Sequence, residues 1–75
     1  MNKERRKKVA QIVEQLDSCA SELEEIKYEE DEARDNIPES LQGGEVYGRS
    51  EECSDTLEDA IDEIRNVIDH LNEVT

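Results

Sequence analysis

The chain has very few aromatic residues and no long apolar run. Its 75 residues include no Trp, no Phe and only two Tyr, and 33% of them are hydrophobic. A chain of this size and composition is not expected to build a thick core by itself. No stretch approaches the roughly 18 apolar residues of a membrane span. The basic first residues lead into no apolar segment, so we expect neither a transmembrane helix nor a signal peptide, and a cytoplasmic location.

Residue patterns that support catalysis or metal binding are equally scarce. His70 is the only histidine, and Val67 stands where a Glu-x-x-His metal bundle carries its glutamate. The acidic run 29–32 lacks the Asp/Asn alternation and the central Gly of a calcium loop. Gly43 and Gly44 are not followed by the Lys-Ser/Thr of a phosphate loop. We therefore predict that the protein is not an enzyme and uses no metal and no cofactor.

Charge, in contrast, is abundant and unevenly placed. The chain has 22 acidic and 9 basic residues, for a net charge of −13. Residues 1–8, here called the basic tip, hold five of the bases and one acid, so residues 9–75 carry −17. Such a field attracts basic surfaces and repels nucleic acid and anionic membranes. The expected partner is a basic protein surface. Low hydrophobicity with high charge is also typical of disordered chains, and only periodicity argues against disorder here.

Apolar residues recur at steps of three and four in two segments, which is the spacing of one face of an α-helix. The first segment contains Val9, Ile12, Val13, Leu16, Cys19, Ala20, Leu23 and Ile26. The second contains Cys53, Leu57, Ala60, Ile61, Ile64, Val67, Ile68, Leu71 and Val74. As heptads, the first segment places Val9, Leu16 and Leu23 at one core position. It places Ile12, Cys19 and Ile26 at the other, with Val13 and Ala20 widening the stripe.

These patterns predict helix one over about 2–36 and helix two over about 50–74. We expect a frayed or solvated stretch at Glu29–Glu32 and an end of helix one near Asp35 or Asn36, because Pro38 disfavours helix before it. Residues 37–48 hold the only Pro and all three Gly, so they form the turn, with one short helical turn at 38–41. Ser50 is the expected N-cap of helix two.

A short connection between two long helices makes them antiparallel, so we predict an all-α fold with a single helical-hairpin domain over residues 1–75. Cys19 and Cys53 replace apolar residues, which predicts reduced, buried thiols. They would lie roughly 20 Å apart along the hairpin axis, too far for a disulfide.

The apolar stripes are wider than one seam requires, and the isolated hairpin is marginal in stability. We therefore expect a homodimer that forms a four-helix bundle, or packing on a partner. The predicted core and oligomer-interface residues are Val9, Ile12, Val13, Leu16, Leu23, Ile26, Leu57, Ile61, Ile64, Ile68 and Leu71.

The acids form a predicted ridge opposite this core. The residues expected to contact a partner are Glu51, Glu52, Asp55, Glu58, Asp59, Asp62 and Glu63 in helix two, with Glu24, Glu25, Asp31 and Glu32 in helix one. A solvated face that keeps a small bundle in solution is the alternative explanation. The basic tip has two explanations as well: it neutralises acids at the end of helix two, or it touches nucleic acid bound to the same target.

Three segments resemble small acidic helical-hairpin proteins encoded by phages and mobile elements of Gram-positive bacteria. They are the opening residues 1–8, the central Asp35-Asn36-Ile37-Pro38-Glu39-Ser40-Leu41-Gln42, and Leu57-Glu58-Asp59-Ala60-Ile61-Asp62 with its acidic continuation. The resemblance implies a mobile-element protein that acts in the bacterial host cytoplasm. Many short proteins of that kind block CRISPR or restriction nucleases, or regulate phage genes. The resemblance supplies no active residues.

Charge and resemblance together give the leading hypothesis, an inhibitor that occupies the basic nucleic-acid groove of a host defence nuclease. A homo-oligomeric scaffold whose partners meet the apolar stripe is an alternative, as is a regulatory partner of a basic protein.

Overall fold

The computed structural model describes all 75 residues, and it consists of two long antiparallel helices. Helix α1 spans Lys3–Asp35 and helix α2 spans Glu45–Asn72, with a short 3-10 turn at Glu39–Leu41 between them. The helices pack along their length into a rod of 60 × 15 × 11 Å, and the chain contains no strand. The predicted all-α helical hairpin is confirmed. Neither helix has a segment long and apolar enough to cross a membrane.

Helix α1 begins with a side-chain cap and continues without a break. The Asn2 side chain accepts a hydrogen bond from the Arg5 amide at 2.8 Å, which satisfies one of the free donors of the first turn. The helix ends at Asp35, as expected before Pro38. Of the two alternatives for Glu29–Glu32, fraying is wrong, because ion pairs at helical spacing, described below, support this stretch. The side chains of Glu29 and Glu32 are exposed to solvent.

Helix α2 begins earlier than the sequence pattern predicts. Its first residue is Glu45 and its N-cap is Gly44, so the prediction that Ser50 caps the helix is wrong. Gly48 continues the helix, since its amide donates to the Gly44 carbonyl at 3.2 Å. Ser50 lies one turn further into the helix and is buried, with 8% of its surface exposed. The turn is correspondingly shorter than predicted.

The seam between the helices follows a strict alternation of four- and three-residue steps. Its α1 positions, which are half-buried or buried, are Val9, Val13, Leu16, Ala20, Leu23, Lys27, Glu30 and Arg34. Its α2 positions are Tyr47, Ser50, Ser54, Leu57, Ile61, Ile64, Ile68 and Leu71. Every second step therefore returns to the same position of a heptad, as in an antiparallel coiled coil.

This seam corrects the predicted heptad of helix one. The second core position holds Val13 and Ala20, whereas Ile12, Cys19 and Ile26 lie on an exposed flank. Ile12 and Ile26 keep 49% and 51% of their surface exposed. Both heptad assignments, the predicted and the observed, place apolar residues in the core over residues 9–26. They differ in the polarity of the core residues only further along the helix. The observed one leads to Lys27 and Arg34, whose polar groups have partners on α2 or on α1 itself.

The core is thin. Ala20, Ile61 and Ile68 are the only buried apolar residues, and Ser50 and Ser54 are buried with them. Ala20 has no exposed surface, and its small side chain lets the two helices approach closely. The prediction of buried thiols is wrong, because Cys19 and Cys53 are both exposed and both free.

Candidate functional site

A dense row of carboxylates covers the outer side of α2. All seven are exposed, and they are here called the α2 ridge: Glu51, Glu52, Asp55, Glu58, Asp59, Asp62 and Glu63. No basic residue lies between Arg49 and Arg65 in the sequence. At about 1.5 Å per residue, the twelve steps from residue 51 to residue 63 span roughly 18 Å. The ridge therefore places seven negative charges on one rigid rod of that length.

The predicted acids of α1 separate into two kinds. Glu25 and Glu32 are exposed and make no ion pair in the structure. Glu24 accepts from Arg65 Nη2 at 3.3 Å, so its charge is partly neutralised within the hairpin. Asp31 is only 30% exposed and has three partners of its own. The two α1 acids open to a partner are therefore Glu25 and Glu32.

Arg65 joins the two helices on the polar flank of the hairpin. Its Nη1 donates to Asp17 Oδ1 and its Nη2 donates to Glu24 Oε1. The two carboxylates lie seven residues apart, two turns along the same face of α1, and one guanidinium spans them. Their hydrogen bonds raise the pKa of Arg65. The pattern of apolar residues gave no indication of this contact.

A polar layer interrupts the seam near the turn. Arg34 Nη1 donates to Ser54 Oγ at 2.8 Å and to the Ser50 carbonyl at 3.2 Å, and Arg34 Nη2 donates to Asp31 Oδ1 at 2.8 Å. The Ser54 hydroxyl donates to Asp31 Oδ1 at 2.7 Å. No buried side-chain polar atom lacks a partner. The layer was missed from the sequence, although two serines at core heptad positions of α2 are the signal that points to it.

The polar layer shifts the pKa of its members. Hydrogen bonds from Ser54, Lys27 and Arg34 to the ionised carboxylate lower the pKa of Asp31 from 3.8 to about 2. Lys27 Nζ lies 3.0 Å from Asp31 Oδ2, and this bond raises the pKa of Lys27. Asp31 thus stays ionised as a structural anion that holds the helices together, and its charge faces partners on the same chain.

The opposite flank of the hairpin carries a second apolar surface, here called the apolar strip. On α1 it repeats every seven residues through Ile12, Cys19, Ile26 and Ala33. On α2 it repeats through Val46, Cys53, Ala60 and Val67, and it continues to Val74, two residues beyond the end of the helix. All are exposed except Ala60, which is half-buried. Val46, Val67 and Val74 are 74%, 46% and 40% exposed.

Both halves of the apolar strip lie on one side of the hairpin. Near the turn, Ala33 of α1 and Ile37, just beyond the end of α1, line a shallow groove together with Val46 and Cys53 of α2. Because the strip has a seven-residue period on both helices, this neighbourhood continues along the rod. Arg65 and its partners occupy the other flank, so one long side of the molecule is apolar and the other is charged.

The basic tip lies beside the end of α2. Met1 and Arg6 line a small groove with Glu73, Val74 and Thr75, and no ion pair joins these groups. Nowhere does the chain bring three or more His, Cys, Asp or Glu side chains into a group that could hold a metal ion.

No known protein family, curated protein or solved structure matches this chain.

Proposed function

We propose that this chain is a non-catalytic acidic interaction protein that occupies the basic nucleic-acid-binding groove of a bacterial defence nuclease. The observation that supports it is the charge density of the α2 ridge. Seven carboxylates over roughly 18 Å amount to one charge per about 2.6 Å. Duplex DNA carries one per about 1.7 Å, and a single DNA strand one per about 3.4 Å. The charge spacing of the ridge lies between that of duplex DNA and that of a single DNA strand.

The ridge carboxylates are available to a partner. They are exposed, and no lysine or arginine of the chain forms an ion pair with any of them. The basic side chains that do form ion pairs contact acids outside the ridge, namely Asp31, Glu45, Asp17 and Glu24. Like charges at helical spacing destabilise an isolated helix, and a basic groove would relieve that repulsion.

A helix also presents these charges in a fixed arrangement. Because the backbone is already ordered in the hairpin, little conformational entropy is lost when the ridge binds, and preorganised groups bind more tightly than flexible ones. The target is a CRISPR or restriction nuclease, as the resemblance to mobile-element proteins implies, and the site of action is the host cytoplasm. Electrostatic attraction makes association fast and sensitive to ionic strength.

The experiment is a displacement assay. Labelled duplex DNA is bound to each member of a panel of CRISPR and restriction nucleases, the protein is added, and fluorescence anisotropy is followed at several salt concentrations. We expect displacement from at least one nuclease, weakening steeply with salt. The variant Glu58→Lys, Asp59→Lys, Asp62→Lys, Glu63→Lys should no longer displace the DNA.

The matched control reverses four exposed acids outside the predicted surface, Glu14, Glu22, Glu29 and Glu39, and has the same net charge. It should retain most of the displacement. Equal loss in both variants would mean that net charge alone acts, and full activity of the ridge variant would contradict the proposal.

The exposed apolar strip favours a second candidate, a scaffold whose partners bind that strip. Ile26 lies on it with 51% of its surface exposed. If the protein is a scaffold, Ile26→Asp should abolish partner binding and the ridge variant should retain it. If the protein is the proposed inhibitor, the ridge variant should lose the displacement of DNA and Ile26→Asp should retain it.

A further inference from the structure

We infer that the apolar strip is the contact surface for a second copy of this chain, and that the two hairpins pack face to face in opposite directions. The inference goes beyond the proposed function and does not depend on the identity of any target. It rests on three features of the strip: its symmetry along the rod, its size, and the placement of charge at the two ends of the hairpin.

The strip is symmetric about its middle. The contacts of Asp31 with Ser54 and of Arg34 with Ser50 set the register of the hairpin, and that register places Ile26 and Ala60 at about the same height. On α2 the other four strip residues lie seven and fourteen positions on either side of Ala60. On α1, Cys19 and Ala33 lie seven positions on either side of Ile26. A two-fold axis at this height lays the strip on itself except at Ile12, whose symmetry-related position, residue 40, lies in the turn.

The face that carries the strip is close to the size that a stable dimer needs. With the axis at the height of Ile26, the two copies overlap over roughly 50 Å of the 60 Å rod. At a width of 15 Å this overlap offers on the order of 750 Å² to a partner, and stable interfaces bury roughly 800 Å² on each side. The hairpin itself buries only three apolar side chains. A contact along the strip would cover the partly exposed side chains of Ile12, Ile26 and Val67 and turn two thin layers into one four-helix bundle.

The net charges at the two ends of the hairpin distinguish between two orientations of the copies in the dimer. The basic tip holds five bases and one acid, a net +4, at one end. Residues 29–52, at the turn end, hold nine acids and two arginines, a net −7. A two-fold axis perpendicular to the helices at the height of Ile26 puts the basic tip of each copy beside the turn end of the other, extending slightly beyond it. An axis parallel to the helices puts like ends together, so charge favours the antiparallel arrangement.

This packing leaves most of the α2 ridge free. Asp55 and Asp62 follow strip residues by two positions, about 200° around the helix, and so lie on the far side from the contact. Glu52 and Glu63 border the strip. The dimer then presents one ridge on each outer surface. Since each copy carries −13, the copies repel as a whole, and screening by salt should strengthen the dimer. Binding of the ridge to a basic groove should weaken under the same conditions.

The antiparallel arrangement places Ala60 next to Ala60 of the second copy, and Ile26 next to Ile26 of the second copy. We would therefore introduce Ala60→Cys into full-length protein that carries Cys19→Ser and Cys53→Ser, and treat it with a short bis-maleimide. The expected product is a covalent dimer of about twice 8.6 kDa. The control Asn66→Cys, exposed on the outer side of α2, should give at least tenfold less.

A parallel dimer would place residue 60 next to residue 26 of the other copy. Mixing the Ala60→Cys protein with an equivalent Ile26→Cys protein distinguishes the two arrangements, because only a parallel dimer gives mainly the mixed product. That result would overturn the antiparallel arrangement. Equal cross-linking of residues 60 and 66 would overturn the contact itself.

Sedimentation velocity supplies a test without cross-linking. The unmodified protein should sediment as a dimer at micromolar to millimolar concentrations in moderate salt, and Val67→Asp should sediment as a monomer. Val67 is 46% exposed in the hairpin, so its replacement should leave the helical circular dichroism signal of the monomer in place. A monomeric wild-type protein throughout this range would refute the inference while leaving the displacement assay unaffected.

Discussion

The hydroxyl of Ser54 in α2 donates a hydrogen bond to the Asp31 carboxylate in α1 at 2.7 Å. The two residues are 23 positions apart in the chain, and the same hydroxyl accepts from Arg34 at 2.8 Å. A slip of the helices by one heptad would leave these groups unpaired inside the seam. Buried polar groups cost free energy when they lose their partners, so this contact selects the register in which the strip and the ridge are displayed.

Replacing Ser54 with alanine should destabilise the hairpin. The side chain is almost fully buried, at 4% exposure, and its loss removes a donor and an acceptor that charged groups use. We expect a loss of about 1–2 kcal/mol in the free energy of unfolding, measured by urea denaturation. Ser21→Ala is the control, because Ser21 is an exposed serine of α1. A loss of equal size there would argue against a specific role of the polar layer.

The polar layer should also give a defined pH dependence. The pKa of Asp31 is lowered from 3.8 to about 2, so the folded state binds fewer protons than the unfolded state between these values. The stabilisation is complete above about pH 5 and is lost as the pH falls through 3.8 towards 2. The difference in stability between wild type and Asp31→Asn should therefore be constant from pH 7 to pH 5 and shrink below pH 4.

Acidification has a second, opposite effect, since it neutralises repelling carboxylates throughout the chain. Asp62→Asn controls for this effect, because Asp62 lies on the α2 ridge and has no hydrogen-bond or ion-pair partner in the structure. Thermal melts of the three proteins at each pH separate the two effects. A difference between wild type and Asp31→Asn that persists unchanged at pH 2 would contradict the assignment.

The early start of α2 predicts that Gly48→Ala stabilises the protein. Gly48 is helical, and a Cβ atom there would meet nothing within 4 Å. Alanine is favoured over glycine inside a helix by about 0.5–1 kcal/mol. Gly44→Ala is the control and should bring no gain, since its Cβ would lie 3.1 Å from the Leu41 carbonyl and alanine is a poor N-cap. If chemical denaturation gave equal changes in the free energy of unfolding for Gly48→Ala and Gly44→Ala, α2 would have to begin after Gly48.

The thin core makes single core residues important. Ile61 is 6% exposed, and Ile61→Ala should lower the free energy of unfolding by about 2–4 kcal/mol, a large part of the stability of a domain this small. Val46→Ala should change it by less than about 0.5 kcal/mol, because Val46 is 74% exposed. Denaturation curves at low protein concentration test both. Similar costs at the two sites would contradict the assigned seam.

Net charge predicts a dependence of stability on salt. The repulsion that accompanies a charge of −13 is screened as ionic strength rises, so the melting temperature should increase between low and high NaCl. The ridge variant with four lysines carries −5, since each reversal adds two charges to −13, and its melting temperature should rise less. An equal increase in both proteins would show that repulsion within the ridge is not what salt relieves.

The sequence alone determined that the chain forms two helices, that they make a hairpin, and that its core is thin. Those properties depend on local spacing, on Pro38 and the glycines, and on composition. Charge placement is also explicit in the sequence, so the acids of α2 could be identified as an exposed ridge without coordinates.

Tertiary structure decided which apolar residues face the partner helix. The stripe of α1 is wide enough for two heptad readings, one through Ile12, Cys19 and Ile26 and one through Val13 and Ala20. Local periodicity cannot separate them, because both are apolar for more than two heptads. The choice depends on contacts between residues far apart in the chain: Asp31 and Arg34 with Ser54, and Asp17 with Arg65. Those contacts place the polar layer in the seam and leave the cysteines on the exposed strip.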